Sequence, residues 1–188
     1  MSARLLQYFF LVLLCAAVSA RAGELQPGNV YRLTFTDVDH HQLSTSDGHA
    51  TIITVLTRKD EQKAQAVGER VPRYCLGDPN YRLITLVNFQ QKMFWPLRGM
   101  ISAIIRGRMD SEAKKLQKSY TAKHLTRNPR EDIYVVADFD GQAVSKLGLA
   151  PTSSEFAVFV FNGRGRLIKR WNDVPSAEEL SATLAEAR

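Results

Sequence analysis

Sulfur is scarce in this chain. Only two of its 188 residues are cysteine, Cys15 and Cys75, and Cys15 lies in an apolar N-terminal run expected to be removed. A single remaining thiol cannot close an intramolecular disulfide and has no partner thiol to resolve a mixed one. There is no Asn-x-Ser/Thr sequon, which leans toward a bacterial envelope rather than a eukaryotic secretory route. Phosphate-cradling glycine loops, the dinucleotide fingerprint, the nucleophile elbow and zinc-ligand spacings are all missing. No hydrolase or transferase chemistry is indicated, and no cofactor is expected. No internal repeat or low-complexity tract is present.

What is present begins with an export signal. Arg4 supplies a positive n-region, Leu5 to Val18 is apolar but for Gln7, and Ala20-Arg21-Ala22 gives the small-x-small pattern cleaved before Gly23. The run is short for a bilayer span of about 20 residues, so the reading is a cleaved signal, with a retained anchor as the alternative. Leu14 before Cys15 does not fit a lipobox. The expected product is a secreted or periplasmic protein of one domain, residues 23–188. Removing Arg4 and Arg21 lowers the formal charge from +6 to +4.

Two continuous β-branched and apolar runs, Thr51 to Leu56 and Tyr81 to Phe89, read as strands covered on both faces. Between them Thr57 and Asp60 approximate a capping box, Ala64, Val67 and Val71 recur at helical spacing, and Pro72 ends the helix. That is a βαβ unit with a parallel pair. Upstream, Tyr31 to Thr36 and Gln42 to Thr45 form a hairpin around the turn Asp37 to His41. Downstream, Glu131 to Asp138 returns to strand, and Ala143 to Leu147 is a short helix ending at Gly148. Phe156 to Phe161 and Arg166 to Trp171 pair across Asn162-Gly163, and Ala177, Leu180 and Leu184 lie on a final helix.

Residues 90 to 131 differ in kind. Between Lys92 and Glu131 stand ten Lys/Arg against three acids, a net of +7 that leaves the rest of the mature chain at −3. The stretch reads as two helices, one after Pro96 with Leu97, Ile101, Ile104 and Ile105 on one face, and a more polar one from Met109 to His124. It is longer than a βαβ crossover needs, which marks a basic helical insertion at about 90–130.

This order of elements resembles the thioredoxin-like superfamily, in particular its extracytoplasmic peroxiredoxin-type and thiol–disulfide oxidoreductase branch. The likeness rests on the hairpin Asp37 to Gly48, with His49 where the family has lysine, on Tyr134 to Gly148, and on the hairpin Phe156 to Gly165. It implies an α/β, three-layer fold with an N-terminal β-hairpin and the helical insertion. It also implies a Cys-x-x-Cys or a peroxidatic cysteine between Thr57 and Gln62, where a helix N-terminus lowers a thiol pKa. Here that segment is Thr-Arg-Lys-Asp-Glu-Gln. The family's cis-proline before the Phe156 strand is replaced by Ser153-Ser154-Glu155, and Pro151 lies too far upstream. The fold carries over and no catalytic residue does.

The expected role is therefore a redox-inactive binding module, not an enzyme. Thr57, Arg58 and Lys59 at a helix start offer an anion site, against simple capping and solvated charge. Arg106, Arg108, Lys114, Lys115 and Lys118, with Phe94, Trp95 and Met100, offer a face for an anionic envelope component, a protein partner or peripheral membrane contact. Against that, Leu97, Ile101 and Ile104 are expected to pack on the sheet while the charges face water. Nucleic acid is not expected as a partner. The alternative activity is a single-cysteine thiol peroxidase or thiol transferase using Cys75, although a position beyond a helix C-terminus raises a thiol pKa. Asp37, Asp39, His40, His41 and His49 are metal-ligand types but read as a solvated polar turn. A third reading makes the insertion's apolar face an oligomer interface.

Overall fold

The computed structural model describes residues 23–90 and 94–188; the signal-peptide reading of residues 1–22 lies outside them. A two-stranded hairpin, β1 (Thr34–Thr36) and β2 (Gln42–Ser44), precedes a five-stranded sheet. The sheet comprises β3 (Ala50–Leu56), β4 (Tyr81–Asn88), β5 (Tyr134–Asp138), β6 (Ala157–Phe161) and β7 (Leu167–Trp171), in the order β5-β4-β3-β6-β7. β3 runs parallel to β4, and β4 to β5, while β6 and β7 complete the sheet antiparallel. The helices are α1 (Glu61–Arg70), α2 (Trp95–Ala122), α3 (Gln142–Lys146) and α4 (Ala177–Glu186).

Strand alternation divides the core into two layers. On one face Ile53, Val55, Ile84, Leu86, Phe159 and Phe161 pack under α3 and the hairpin residues Phe35 and Leu43. On the other, Ile52, Leu56, Val158 and Val160 meet Val67 of α1, Leu180 and Leu184 of α4, and Cys75. Every residue of β3 is buried, as its unbroken apolar run requires of a central strand. Each large side chain taken out of water here contributes about 1.5–3 kcal/mol. The strands are those the apolar runs predict, with β1 and β5 each starting three residues later.

The insertion departs from expectation in two ways. It is one helix of 28 residues, not two. Gly107 lies within it, and a glycine costs about 1 kcal/mol there; the buried stripe nevertheless continues through that turn. Its expected apolar face is also split: Ile105 packs inward and Ile101 is half-buried, while Leu97 and Ile104 are exposed. The inward side is the run Arg98, Ser102, Ile105, Met109, Ala113, Leu116 and Tyr120, none of them exposed. Met109 and Ile105 close over Val38 and Val135 at the β5 edge of the sheet. The side carrying Leu97 and Ile104 looks away from the sheet: they are 41% and 55% exposed, and Met100 is 57% exposed.

Polar contacts, rather than a wide apolar face, hold α2 down. Arg106 donates to the Val38 carbonyl at 2.6 Å and to Asp39 at 3.2 Å. Arg130 bridges Asp39 at 2.7 Å and Asp110 at 2.8 Å. At the far end Lys123 donates to the carbonyls of Arg73 and Leu76, at 2.6 and 2.7 Å, and Tyr120, fully buried, donates to Asp132.

Candidate functional site

In an open α/β sheet the natural place for chemistry is the carboxyl end of the parallel strands. Here that end is formed by Thr57 after β3, Asn88 of β4 and Asp138 of β5, all buried. Each is consumed by the fold. The Asn88 amide donates to the carbonyls of Pro151 and Ser153 at 3.1 and 3.0 Å, and its oxygen accepts from the Gln90 amide at 2.8 Å. These bonds secure the loop that stands where a cis-proline was sought. Asp138 accepts from the Gly141 and Val144 amides at 2.9 and 2.8 Å, which caps α3. Phe89 and Phe139 stack beside them at 4.9 Å.

The expected capping box is present. Thr57 donates its amide and hydroxyl to Asp60, at 3.1 and 2.7 Å, and its hydroxyl accepts from the Lys59 amide at 3.4 Å. A short 3-10 turn, Arg58–Asp60, intervenes before α1. The carboxylate at this helix start is thus the chain's own. Arg58 and Lys59 are exposed beside it. The next residue, Glu61, is reached from the insertion by Arg108 at 3.0 Å, so α2 extends to the position where a reactive cysteine pair would stand.

Cys75 lies on a 3-10 turn, Arg73–Cys75, and is only 3% exposed. Burial pushes its thiol up from an ordinary 9.0 to about 11; the Asp78 carboxylate adds to the rise and Lys123 offsets it in part. The nearby Arg70 donates to the carbonyls of Val174 and Pro175. A thiol so placed is a poor nucleophile.

The turn Asp37 to His41 is more than a solvated loop. Asp37 is buried and accepts from the amides of Asp39 and His41, and from His41 Nδ1 at 2.9 Å. Asp37, Asp39 and His41 bring ligand-type atoms within 4.8 Å of one another. Burial pushes the Asp39 carboxyl up, but the guanidiniums of Arg130 and Arg106 outweigh it and hold it below its ordinary value. Two arginines on the central carboxylate give the cluster the character of a clamp on α2 rather than of a cation site. An open concavity of about 360 Å³ beside it is lined by Asp39, His41, Asp110, Arg130 and Tyr134 among others; it is remote from the carboxyl end of the sheet. His49 bonds Asp47 at 2.8 Å, and His40 adopts a left-handed turn conformation.

The basic residues of the insertion divide sharply. Arg98, Arg106, Arg108, Lys115, Lys123, Arg127 and Arg130 all have partners within the fold. Lys114 and Lys118 have none among the described residues. Arg108 and Lys115 are held only in exposed pairs, which are worth little and break easily. The outward side of α2 therefore runs from Leu97, Met100 and Ile104 into Arg108, Ser111, Lys115 and Lys118, with Ile101 half-buried at its margin. Lys114 stands beside this stripe, and Phe94 and Trp95, 69% and 84% exposed, lie at its start.

Comparison with known proteins bears on the fold. No family model matches the chain, and no curated protein does. Among solved structures it is similar to a thiol:disulfide interchange protein of the thioredoxin family from Chlorobium tepidum TLS. The TM-score is 0.53 at 10% identity, over 88% of this chain and 99% of that one. A second Chlorobium tepidum structure, a putative thiol:disulfide interchange protein DsbE, gives 0.52 at 9% identity over 87% and 99%. A peroxiredoxin-like protein from Aquifex aeolicus gives 0.50 at 12% identity over 88% and 89%. At these identities the likeness is one of fold: the chain has the thioredoxin-like α/β architecture, with a central five-stranded sheet and an N-terminal strand pair.

Proposed function

We propose that this chain is an extracytoplasmic thioredoxin-fold protein that does no thiol chemistry and works as a binding module through the outward side of α2. One observation carries the reading: the inserted helix turns its mixed stripe of Leu97, Met100, Ile104, Lys115 and Lys118 to solvent, with Lys114 alongside. Monomeric proteins rarely leave a contiguous apolar patch uncovered unless it is a contact surface. The cations continuing that patch give it an anionic partner, either a protein or an envelope component. The carboxyl end of the sheet supports the same division of labour, because Thr57, Asn88 and Asp138 are spent on capping and loop closure. Extracytoplasmic placement rests on the N-terminal export pattern.

The test uses residues 23–188, which contain every element of the fold. Retention on an immobilised sulfated polymer is expected to fall with rising salt. It is also expected to drop for the triple variant Lys114→Glu, Lys115→Glu, Lys118→Glu. Equal elution of the triple variant and the parent would overturn the reading.

A further inference from the structure

We infer that the surface met by α2 is an anionic lipid bilayer, on which the helix lies flat with its amino-terminal half in the headgroup region. The inference rests on the binding reading above and names its partner. Three features of the outward side favour a bilayer over a folded macromolecule.

First, the apolar and basic parts are segregated along the helix. Leu97, Met100 and Ile104 occupy two turns, and Arg108, Lys115 and Lys118 the turns after, with Lys114 at their side. Asp110 is turned to Arg130, while Glu112 and Glu61 meet the stripe's own Lys115 and Arg108 in exposed pairs that break easily. Lys114 and Lys118 carry charge with no acidic partner among the described residues. Apolar side chains on one part of a helix and lysines reaching anionic headgroups from the same side are what an interfacial helix needs.

Second, Trp95 is the most exposed of the large apolar side chains, with Phe94 next to it. Aromatic rings of this kind settle at the lipid–water boundary. Among the described residues no helix is long and apolar enough to cross a membrane, so contact is along the surface.

Third, the patch is small. Phe94, Trp95, Leu97, Met100 and Ile104 together expose on the order of 600 Å². That is below the roughly 800 Å² per partner of a standard protein interface. A fluid interface needs neither a matching shape nor that area.

The experiment is co-sedimentation with phosphatidylcholine vesicles, with and without phosphatidylglycerol, run beside the polymer column. Binding is expected only with phosphatidylglycerol. The Lys114/Lys115/Lys118 charge reversal should weaken it about a hundredfold, at about fivefold per lysine. The double variant Leu97→Ser, Ile104→Ser should weaken vesicle binding about tenfold or more while leaving polymer retention intact. Both positions are exposed, and unchanged circular dichroism will confirm the fold. Trp95 emission, taken as the parent minus Trp95→Phe so that Trp171 cancels, should move to the blue and be quenched by brominated lipid.

Polymer retention without vesicle binding would overturn the bilayer as partner and leave the binding reading standing. Loss of both would overturn both. Vesicle binding indifferent to the double variant would overturn the buried orientation. A concentration-dependent dimer abolished by that variant would assign the stripe to a second copy and overturn the proposal.

Discussion

Cys75 offers the sharpest quantitative check, because its burial, reinforced by the Asp78 carboxylate, outweighs the opposing Lys123 cation. A thiol moved from 9.0 to about 11 has roughly a hundredfold less thiolate at pH 8, and the thiolate is the reacting species. Burial adds to this, since a side chain 3% exposed must wait for the protein to open. The expectation is that iodoacetamide alkylates native residues 23–188 more than a hundredfold more slowly at pH 8 than the same chain in concentrated urea. The two rates are read by intact mass. The same shift enters stability with a definite sign. The folded thiol gives up its proton later than the unfolded one, so above about pH 9 the unfolded chain ionises first. Folding then loses about 1.4 kcal/mol per pH unit until about pH 11. Other groups titrate in this range, so the useful quantity is a difference. Whatever stability Cys75→Ala loses at pH 7, that gap should narrow by about 1 kcal/mol at pH 10, because only the parent carries the thiol. Native alkylation within tenfold of the unfolded rate, or a gap that widens with pH, would refute the buried, inert placement and restore thiol peroxidase or transferase chemistry as a contender.

Two further outcomes follow from α2. Gly107→Ala should raise stability by about 0.5–1 kcal/mol in urea titration, because a Cβ there meets nothing within 4 Å and helical alanine loses less entropy; destabilisation would mean the helix breaks at that turn. Asp39→Asn should cost about 1–2 kcal/mol at neutral pH by loosening the clamp from Arg106 and Arg130. Because the folded Asp39 carboxyl lies below its ordinary 3.8, that cost is fully present above pH 4 and should fade as the pH drops further, which chemical denaturation at pH 7 and pH 2.5 will compare.

The strands were legible in the sequence because burial on two faces leaves an unbroken apolar signature, as in Thr51 to Leu56, and because Thr57 and Asp60 state the helix start in local chemistry. The insertion was only half legible. Its length and charge were plain, but the face of Leu97, Ile101, Ile104 and Ile105 was only partly the inward one: Ile105 packs on the sheet edge, and Leu97 and Ile104 are exposed. The side that meets the sheet includes Arg98 and Arg106, whose carboxylate and carbonyl partners replace apolar cover. Those partners lie far away in sequence: Asp39 is 67 residues from Arg106 and 91 from Arg130. Hydropathy sees neither bond. Likewise, ten basic residues looked like one positive face, whereas seven of them are engaged within the fold and, among the described residues, Lys114 and Lys118 are the ones left without a partner. Nothing local to Asn88 or Asp138 announces which loop amides and carbonyls they will meet.

The junction of β3 and α1 shows why a cysteine placed there would not be activated by the helix start alone. A helix start activates a thiol by presenting unpaired N–H groups and positive potential to a thiolate. Here the Asp60 carboxylate already sits in that first turn, bonded to the Thr57 amide and hydroxyl, so a cysteine beside it would meet a negative charge. The nearest cation contributed by the insertion, Arg108, is directed to Glu61. On the other side, the Ser153 carbonyl is tied to Asn88, in a loop that has no proline immediately before β6. At this junction Thr57 is satisfied by Asp60, and the Ser153 carbonyl by Asn88, which stabilises it. The capping acid makes the helix start a structural joint, and the exposed Arg108–Glu61 pair adds little to it. Under the proposed binding role the surface to test is the outward side of α2, where Leu97, Met100 and Ile104 are exposed alongside Lys114 and Lys118.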